Sequence, residues 1–349
     1  VNYPYVLSSD QHCHSWSAFS SVNPDGVNSR LRIILDEIQR AAATCINAGG
    51  DRMILAGDLF HQRGEIKPSV FNPTVQAFQK ICGGIRIVAI PGNHDLEGKD
   101  ADTYGNAMQA LEQIPDFQVA VEPYRMGDVW VFPWYQDLDV LRGHLKAHAD
   151  PDCDAVIHAP VNGVIKGIPD HGLEAAELAA LGYRRVFSGH YHDHKVMEGG
   201  KVISIGATAH QTWSDPGTKA GFILVYADRI EHHESAAPQF IDLDNATIDA
   251  LGDNIDTTVA GNYVRLKLTE VSEKEIKEWR EAITDSGAAG CIILATKKNP
   301  ATVRTGAGAA SAAVSLGASI EHFIRKDMKP LLIEDVSKEA QDVLMEAQS

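Results

Sequence analysis

Five short apolar runs in the first 190 residues each end in a cluster of Asp, Asn or His, and this recurrence constrains the fold more than any other feature. Pro4-Tyr-Val-Leu-Ser8 precedes Asp10, Arg52-Met-Ile-Leu-Ala56 precedes Asp58, and Ile85-Arg-Ile-Val-Ala-Ile90 precedes Asn93. Asp154-Ala-Val-Ile157 precedes His158, and Arg185-Val-Phe187 precedes His190. Runs of this length suit buried strands. Between them Leu31, Ile34, Leu35, Ile38, Ala42 and Cys45 recur at helical spacing, with Asn28 or Ser29 as N-cap and Gly49-Gly50 as a stop. Further helices are expected around residues 70–81 and 173–181. Alternating strands and helices predict an α/β domain with a largely parallel sheet. In such folds ligands gather just beyond the carboxyl ends of the strands, where every one of these clusters falls.

Each cluster contains residues that loop chemistry alone leaves unexplained. Asp10-Gln-His12 spaces two donors as a strand would, on one face, so that both could reach one ion; by itself the pattern is far more often a polar loop than a metal site. Gly57-Asp58 joins a turn-forming glycine to a carboxylate that can bridge two cations or cap a helix. His61, three residues on, has no part in capping. In Gly92-Asn-His-Asp95, a Gly-Asn turn accounts for the first two residues but not for the His-Asp pair. Asn93 offers a neutral oxygen ligand, His94 is expected to face the substrate, and Asp95 is expected to hold the His94 imidazole in one tautomer. His190 and His192 are spaced to share one side of an extended segment, His158 stands alone after its run, and His194 reads as solvent-exposed loop. Together Asp10, His12, Asp58, Asn93, His158, His190 and His192 form the mixed carboxylate, imidazole and amide set that two hard divalent cations require. His61, His94 and Asp95 are left as candidate catalytic residues.

The 349 residues include 47 acidic against 31 basic side chains, a formal charge of −16. A chain that grips a nucleic-acid backbone unaided usually carries a basic patch, so tight independent DNA binding is disfavoured. Bound cations, or a partner subunit, would supply positive charge where a phosphate sits. No stretch approaches the roughly 20 apolar residues that span a bilayer, and the N-terminus does not read as a signal peptide. The five cysteines, Cys13, Cys45, Cys82, Cys153 and Cys291, form no Cys-x-x-Cys pair, which fits reduced thiols in a cytoplasmic compartment.

After residue 226 the rhythm changes. Residues 243–261 are polar and expected as a linker. Residues 263–268 alternate like a half-buried strand, Ser272 with Glu275 forms a capping box, and residues 290–295 read as another strand. The expected organisation is one domain over residues 1–242 and a small α+β module over 262–349. That module includes an Ala/Gly/Ser/Thr-rich stretch at 300–319 and an amphipathic segment at 320–347. Since every candidate ligand precedes residue 195, the first domain alone is expected to retain the chemistry on a small substrate.

The ordered motifs Asp-x-His, Gly-Asp, Gly-Asn-His-Asp, His and Gly-His-x-His, over roughly residues 6–195, resemble the calcineurin-like metallophosphoesterase superfamily. Within it, Gly57-Asp-Leu-Phe-His61 is similar to the SbcD-type nuclease subunits of DNA double-strand-break repair; protein phosphatases carry Asp where this chain has His61. His14 stands where the family has glycine. The 263–295 unit resembles the SbcD capping domain, and compact bacteriophage-encoded relatives share this layout, which points to a phage origin and the host cytoplasm. The resemblance implies a core of two packed mixed β-sheets flanked by helices, followed by a small C-terminal α+β capping domain. It implies that Asp10, His12, Asp58 and His192 hold one ion and that Asp58, Asn93, His158 and His190 hold the other, with Asp58 bridging. It favours manganese, with iron, zinc and magnesium compatible. The implied reaction is phosphodiester hydrolysis in DNA, exo- or endonucleolytic. His94 would serve the leaving oxygen, and His61 would contact the phosphate or position its strand. The implied partner is an SMC-like ATPase, SbcC, for which residues 320–347 read equally as a docking element or as a segment packed on this chain's own core; a homodimer is a further candidate assembly. Two other functions compete. A phosphodiesterase of small nucleotide substrates fits the charge but leaves His61 and the C-terminal module unexplained. A non-catalytic binding module with this fold would be expected to have lost ligands, and the sequence lacks none.

Overall fold

The computed structural model describes residues 4–101, 104–167 and 171–297. The 300–319 stretch and the 320–347 segment expected to dock a partner lie outside the described residues. The chain begins with β1 (Tyr5–Ser8), α1 (Ser29–Asn47), β2 (Arg52–Ala56), α2 (Pro68–Ile81), β3 (Arg86–Ile90) and β4 (Phe117–Val119). It continues with β5 (Tyr124–Met126), β6 (Val129–Phe132), α3 (Leu138–Ala147), β7 (Asp154–His158), α4 (Ala175–Ala180), β8 (Val186–Gly189), β9 (Lys195–Met197) and β10 (Val202–Ser204). Then β11 (Gly221–Val225) and β12 (Ile230–Glu234) return beside β1.

Two six-stranded sheets result, ordered β12-β11-β1-β2-β3-β4 and β5-β6-β7-β8-β10-β9. The expected parallel pairing holds within β1–β4 and among β6, β7, β8 and β10. The strands β11, β12, β5 and β9 pair antiparallel, so both sheets are mixed. Side-chain alternation sets the layers. Tyr5, Leu7, Ile54, Val88, Val156 and Phe187 fill the space between the sheets. Val6, Met53 and Leu55 point the other way, under Leu31, Leu35 and Ile38 of α1 and Phe78 of α2. Ala155 and Ile157 face Leu141 and Leu145 of α3 and Leu178 of α4. The helix α1 starts where Asn28 accepts from the amides of Arg30 and Leu31, satisfying donors the first turn leaves open.

A third, all-parallel sheet follows, built from β13 (Phe240–Asp244), β14 (Tyr263–Val271) and β15 (Gly290–Lys297), with α5 (Asn245–Leu251), α6 (Ile255–Val259) and α7 (Glu273–Asp285). The Ser272–Glu275 capping box is present at the start of α7. Residues 243–261 are not a linker: they complete β13 and form α5 and α6. Asp244 caps α5 by accepting from the Thr247 amide, and Ile248 and Val259 are buried against Leu243, Val264 and Leu266. Two short helices that each bury so little look polar in sequence. This sheet also packs against the first domain. Tyr263 stacks on Phe19 with ring centroids 4.9 Å apart, and Gly290 lies against the same ring.

Candidate metal centre

The five polar clusters meet at one end of the two sheets, beyond the carboxyl ends of β1, β2, β3, β7 and β8. Backbone bonds lock two of them together: the Asp10 amide donates to the Gly57 carbonyl at 3.0 Å, His12 to Asp58 at 2.9 Å and Cys13 to Leu59 at 2.7 Å. Asp10, His12, Asp58 and His190 all have positive φ, at 51°, 46°, 53° and 95°. This left-handed region is costly for residues with a Cβ and persists only where the surroundings impose it. The Asp-x-His and His-x-His pairs therefore do not meet by strand alternation, as the spacing suggests. They meet because the chain coils after β1 and β8 have ended.

Two glycines make the close approach possible. A Cβ on Gly57 (φ 94°) would lie 2.1 Å from His158 Nδ1, and one on Gly92 would lie 2.2 Å from Asp58 Oδ1. His158 packs on the first turn and Asp58 on the second, so each motif glycine is the floor under another motif's ligand.

The seven expected ligands are brought together. Donor atoms of Asp10, His12 and His192 lie within 4.8 Å of one another, as do those of Asp58, His158 and His190. Asp58 Oδ2 stands between the groups, 3.7 Å from His12 Nε2 and 3.3 Å from His158 Nε2. Asn93 Oδ1 lies 3.0 Å from His190 Nδ1 and 3.3 Å from His158 Nε2. His158 Nδ1 donates to the Ala56 carbonyl at 2.7 Å, and His192 Nδ1 donates to Asp215 Oδ1 at 2.9 Å. Each leaves an Nε2 lone pair turned into the site, the tautomer a ligand needs. His158 Nε2, Asn93 Oδ1 and Asp58 Oδ2 are then acceptors facing acceptors, an arrangement that only a proton or a cation between them relieves. Burial pushes the His12 and His190 imidazoles down, His190 to about 3, which keeps their lone pairs free. Burial also acts on His158 and His192, but Asp58 and Asp215 respectively outweigh it and raise each to about 9. The donor set thus fits divalent cations in chemistry and in tautomer.

The three candidate catalytic residues are rearranged relative to expectation. Asp95 does not hold His94. Its carboxylate accepts from the amides of Phe60 at 2.9 Å, Gly92 at 2.9 Å and Leu59 at 3.3 Å, and so pins the loops after β2 and β3 together. Those amides point inward and lack main-chain partners, which is why they claim the carboxylate. The His94 imidazole is fixed instead by the His61 carbonyl, which accepts from its Nδ1 at 2.6 Å. The His61 ring meets His12 Nδ1 at 3.3 Å. Residue 61 therefore orients two imidazoles, one through its side chain and one through its main chain. His194 is no solvent loop either; its ring stacks on His232 at 4.0 Å, and its Nδ1 donates to the Ser204 carbonyl.

Several site residues escaped the sequence reading. Asp215, 2% exposed, lies in Ser214-Asp-Pro-Gly217, which reads as an ordinary turn. Ser9 Oγ donates to Asp10 Oδ2 at 2.5 Å, and the His190 amide donates to the same oxygen at 3.0 Å. Trp134 tilts over His190 at a centroid distance of 5.4 Å and forms one wall.

A family model for calcineurin-like phosphoesterases matches residues 4–194. The chain belongs to that family. It is also 27% identical over 203 residues to exonuclease subunit 1 of Enterobacteria phage T4, a match that takes in 54% of this chain and 57% of that protein. The chain thus spans little more than half the length of the curated relative. A dimetal phosphatase from Danio rerio aligns over 66% of this chain and 94% of its own, with 11% identity and a TM-score of 0.38. Membership places the protein among hydrolases of phosphoester bonds, and the ligand groups lie inside the matched span. Among the described residues no helix is long and apolar enough to cross a membrane.

Proposed function

We propose that the protein is a nuclease subunit of the SbcD type, hydrolysing phosphodiesters in DNA with two divalent cations bound at the site. The supporting observation is the placement of Asp58 between two complete donor groups, with imidazole tautomers set by the backbone and by Asp215. Asp10, His12, Asp58 and His192 would hold one ion, and Asp58, Asn93, His158 and His190 the other. Bound there, the cations would polarise a phosphoryl oxygen and supply a water nucleophile at neutral pH. Manganese is the proposed metal, and its hard oxygen and imidazole donors suit it.

The chain's own residues do the rest. With its Nδ1–H donated to the His61 carbonyl, His94 has Nε2 as the nitrogen that would exchange a proton with the leaving oxygen. Its amide meanwhile donates to Asp58 Oδ1 at 2.8 Å, tying the acid–base group to the shared ligand. Trp134 offers a ring face beside His190.

DNA rather than a small diester is favoured by the likeness to an exonuclease subunit and by His61, which a protein phosphatase replaces with Asp. An SMC-like ATPase is the proposed partner, and it would reconcile the −16 charge with a polyanionic substrate. The proposed location is the cytoplasm. The test is hydrolysis of end-labelled single- and double-stranded DNA, bis-p-nitrophenyl phosphate and cyclic nucleotides, each with added Mn2+ and after chelation. DNA cleavage that needs Mn2+ is the expected result. Turnover of cyclic nucleotides alone would favour the small-substrate reading, and a purified chain that takes up no metal would favour the non-catalytic one.

A further inference from the structure

The loop from Thr208 to Asp215 touches both the metal centre and the three-stranded sheet. On the site side, the Thr208 amide and Oγ1 both donate to the Ser9 carbonyl, at 3.0 and 2.9 Å. Gln211 Nε2 donates to the Asp10 carbonyl at 2.7 Å. Asp215 Oδ1 accepts from His192, while its Oδ2 accepts from the amides of Gln211 at 2.7 Å and Thr212 at 2.8 Å. Three hydrogen bonds fix the orientation of this carboxylate, and its Oδ1 faces His192 Nδ1 and favours the proton there.

On the far side the same loop is gripped by the small sheet. His210 Nδ1 accepts from the Phe240 amide at 3.1 Å, so the main chain of β13 starts on the loop. Trp213 packs edge-on against Phe240 at 4.8 Å, with the Arg265 guanidinium of β14 4.5 Å from its ring centroid. Arg30 of α1 donates to the Gln211 carbonyl at 2.6 Å and lies 5.1 and 5.6 Å from the rings of Phe240 and Tyr263. Arg30 is 5% exposed, and its hydrogen bonds go to the carbonyls of Gln211 and Ala18 rather than to a carboxylate. A cation buried that way is costly. The aromatic faces offset part of the cost, and the arrangement is intelligible if the loop must be held still.

We propose that this loop is a strut through which the three-stranded sheet positions a metal ligand. The sheet fixes Trp213 and Arg30, these fix the Gln211–Asp215 segment, and Asp215 holds His192 in its ligating tautomer. The small sheet thereby sets the affinity of the ion that His192 shares with Asp10 and His12. Asp215, Arg30 and Trp213 are positioning residues, and none touches substrate. This rests on the two-cation reading above. It runs against the expectation that the residues beyond 262 are dispensable for chemistry on a small diester, and Mn2+ titration decides between the two.

The test uses the full chain and Mn2+ alone as the probe, followed by calorimetric titration and by the spin-resonance signal that separates a coupled Mn2+ pair from a single ion. The wild type is expected to bind two ions. In Asp215→Asn the amide oxygen can keep the Gln211 and Thr212 bonds, which turns the NH2 toward His192 Nδ1 and moves the imidazole proton to Nε2. One ion is then expected to bind as before and the other about 10- to 100-fold more weakly. Trp213→Ala, which removes ring contacts with Phe19, Phe240 and Arg265 and changes no proposed ligand, is expected to weaken the same ion by about two- to thirtyfold. The double variant should bind no more weakly than Asp215→Asn alone, because both changes act through His192. If Trp213→Ala does not fold, Trp213→Leu keeps apolar bulk without the ring contacts and is read the same way. A Trp213 variant with both affinities unchanged, with both weakened equally, or with its full effect added to that of Asp215→Asn overturns the strut. A wild type that takes up fewer than two ions overturns the two-cation reading itself, and the strut with it.

Discussion

Replacing Gly92 with alanine tests the packing beneath the shared carboxylate without altering any proposed ligand. The Gly92 backbone, at φ −91° and ψ −179°, is open to any residue, so the cost is purely steric. The added Cβ would lie 2.2 Å from Asp58 Oδ1, 2.4 Å from the Asp58 nitrogen and 2.9 Å from its Cγ, where ordinary contact begins at 3.4 Å. Something must therefore move by about 1 Å. Neither side gives easily. The Asp58 carbonyl is bonded to the His12 amide and its Oδ1 to the His94 amide, while the Gly92 amide is held by Asp95. Overpacking of this kind costs roughly 1–3 kcal/mol of stability, which lowers Tm by a few degrees up to about 10 °C. Function should suffer more, because catalytic constellations tolerate displacements of about 0.5 Å and a shift of about 1 Å can cost about 10²-fold in rate. The assay is hydrolysis of bis-p-nitrophenyl phosphate with Mn2+ well below the variant's Tm, together with Mn2+ titration. A rate lowered about 10²-fold, with both ions bound more weakly, is the expected result. An unchanged rate with both affinities intact would refute the reasoning, since Asp58 could not then be the carboxylate both ions share.

Asp58→Ala is expected to leave no tightly bound ion after dialysis, measured by elemental analysis; retention of one ion would show that the groups do not share it. His94→Ala should keep both ions, because its amide bond to Asp58 survives, yet lower turnover about 10²–10⁴-fold. If an ion is lost instead, His94 acts as a ligand with His12 and His61, whose donor atoms lie within 4.8 Å of its own. Burial raises the Cys13 thiol to about 12 and those of Cys45 and Cys153 to about 11. In native protein at pH 8 these three should resist iodoacetamide and react only in denaturant, as mass spectrometry would show; rapid native labelling of Cys13 would contradict its burial beside His12.

The residues that meet at the site were legible because each cluster follows an apolar strand, three of the five with a glycine at the turn, and because five such signals recur in order. What binds to what across the site was not. Asp95 sits next to His94 in sequence, yet its carboxylate is claimed by the Gly92 amide of its own turn and by the Leu59 and Phe60 amides of the loop after β2, and nothing local announces the latter two. Asp215 hides in a Ser-Asp-Pro-Gly run whose composition a plain turn explains. Arg30 sits in the first turn of an amphipathic helix, where a charged residue usually faces water; its burial depends on Phe240 and Tyr263, more than 200 residues away. The polar stretch 243–261 looked like a linker because α5 and α6 each bury too little to leave a helical period. The short strands β4, β5, β9 and β10 contribute three residues each, fewer than any periodicity can register.

The metal centre is held by the main chain as much as by its side chains, and this accounts for the kind of motif the sequence displays. Four of the proposed ligands adopt a left-handed backbone that costs roughly 1–3 kcal/mol each, so the turns carrying them would relax if left alone. They are prevented by bonds that reach from one motif's side chain to the next motif's backbone. The His94 amide is held by Asp58, the His190 amide by Asp10, the Ser9 carbonyl by Thr208 and the Asp10 carbonyl by Gln211. Each motif thus stabilises the strained turn of another, and no single one is stable in its ligating shape without the rest. A side chain can be exchanged for one of similar size, but a turn packed directly on a neighbour leaves no room for a Cβ. That is why glycine accompanies the proposed ligands at residue 57, against the His158 ring, at 92, against the Asp58 carboxylate, and at 189, against the Ser9 hydroxyl and the Ala56 carbonyl, and why these short runs carry so much of the information about the site.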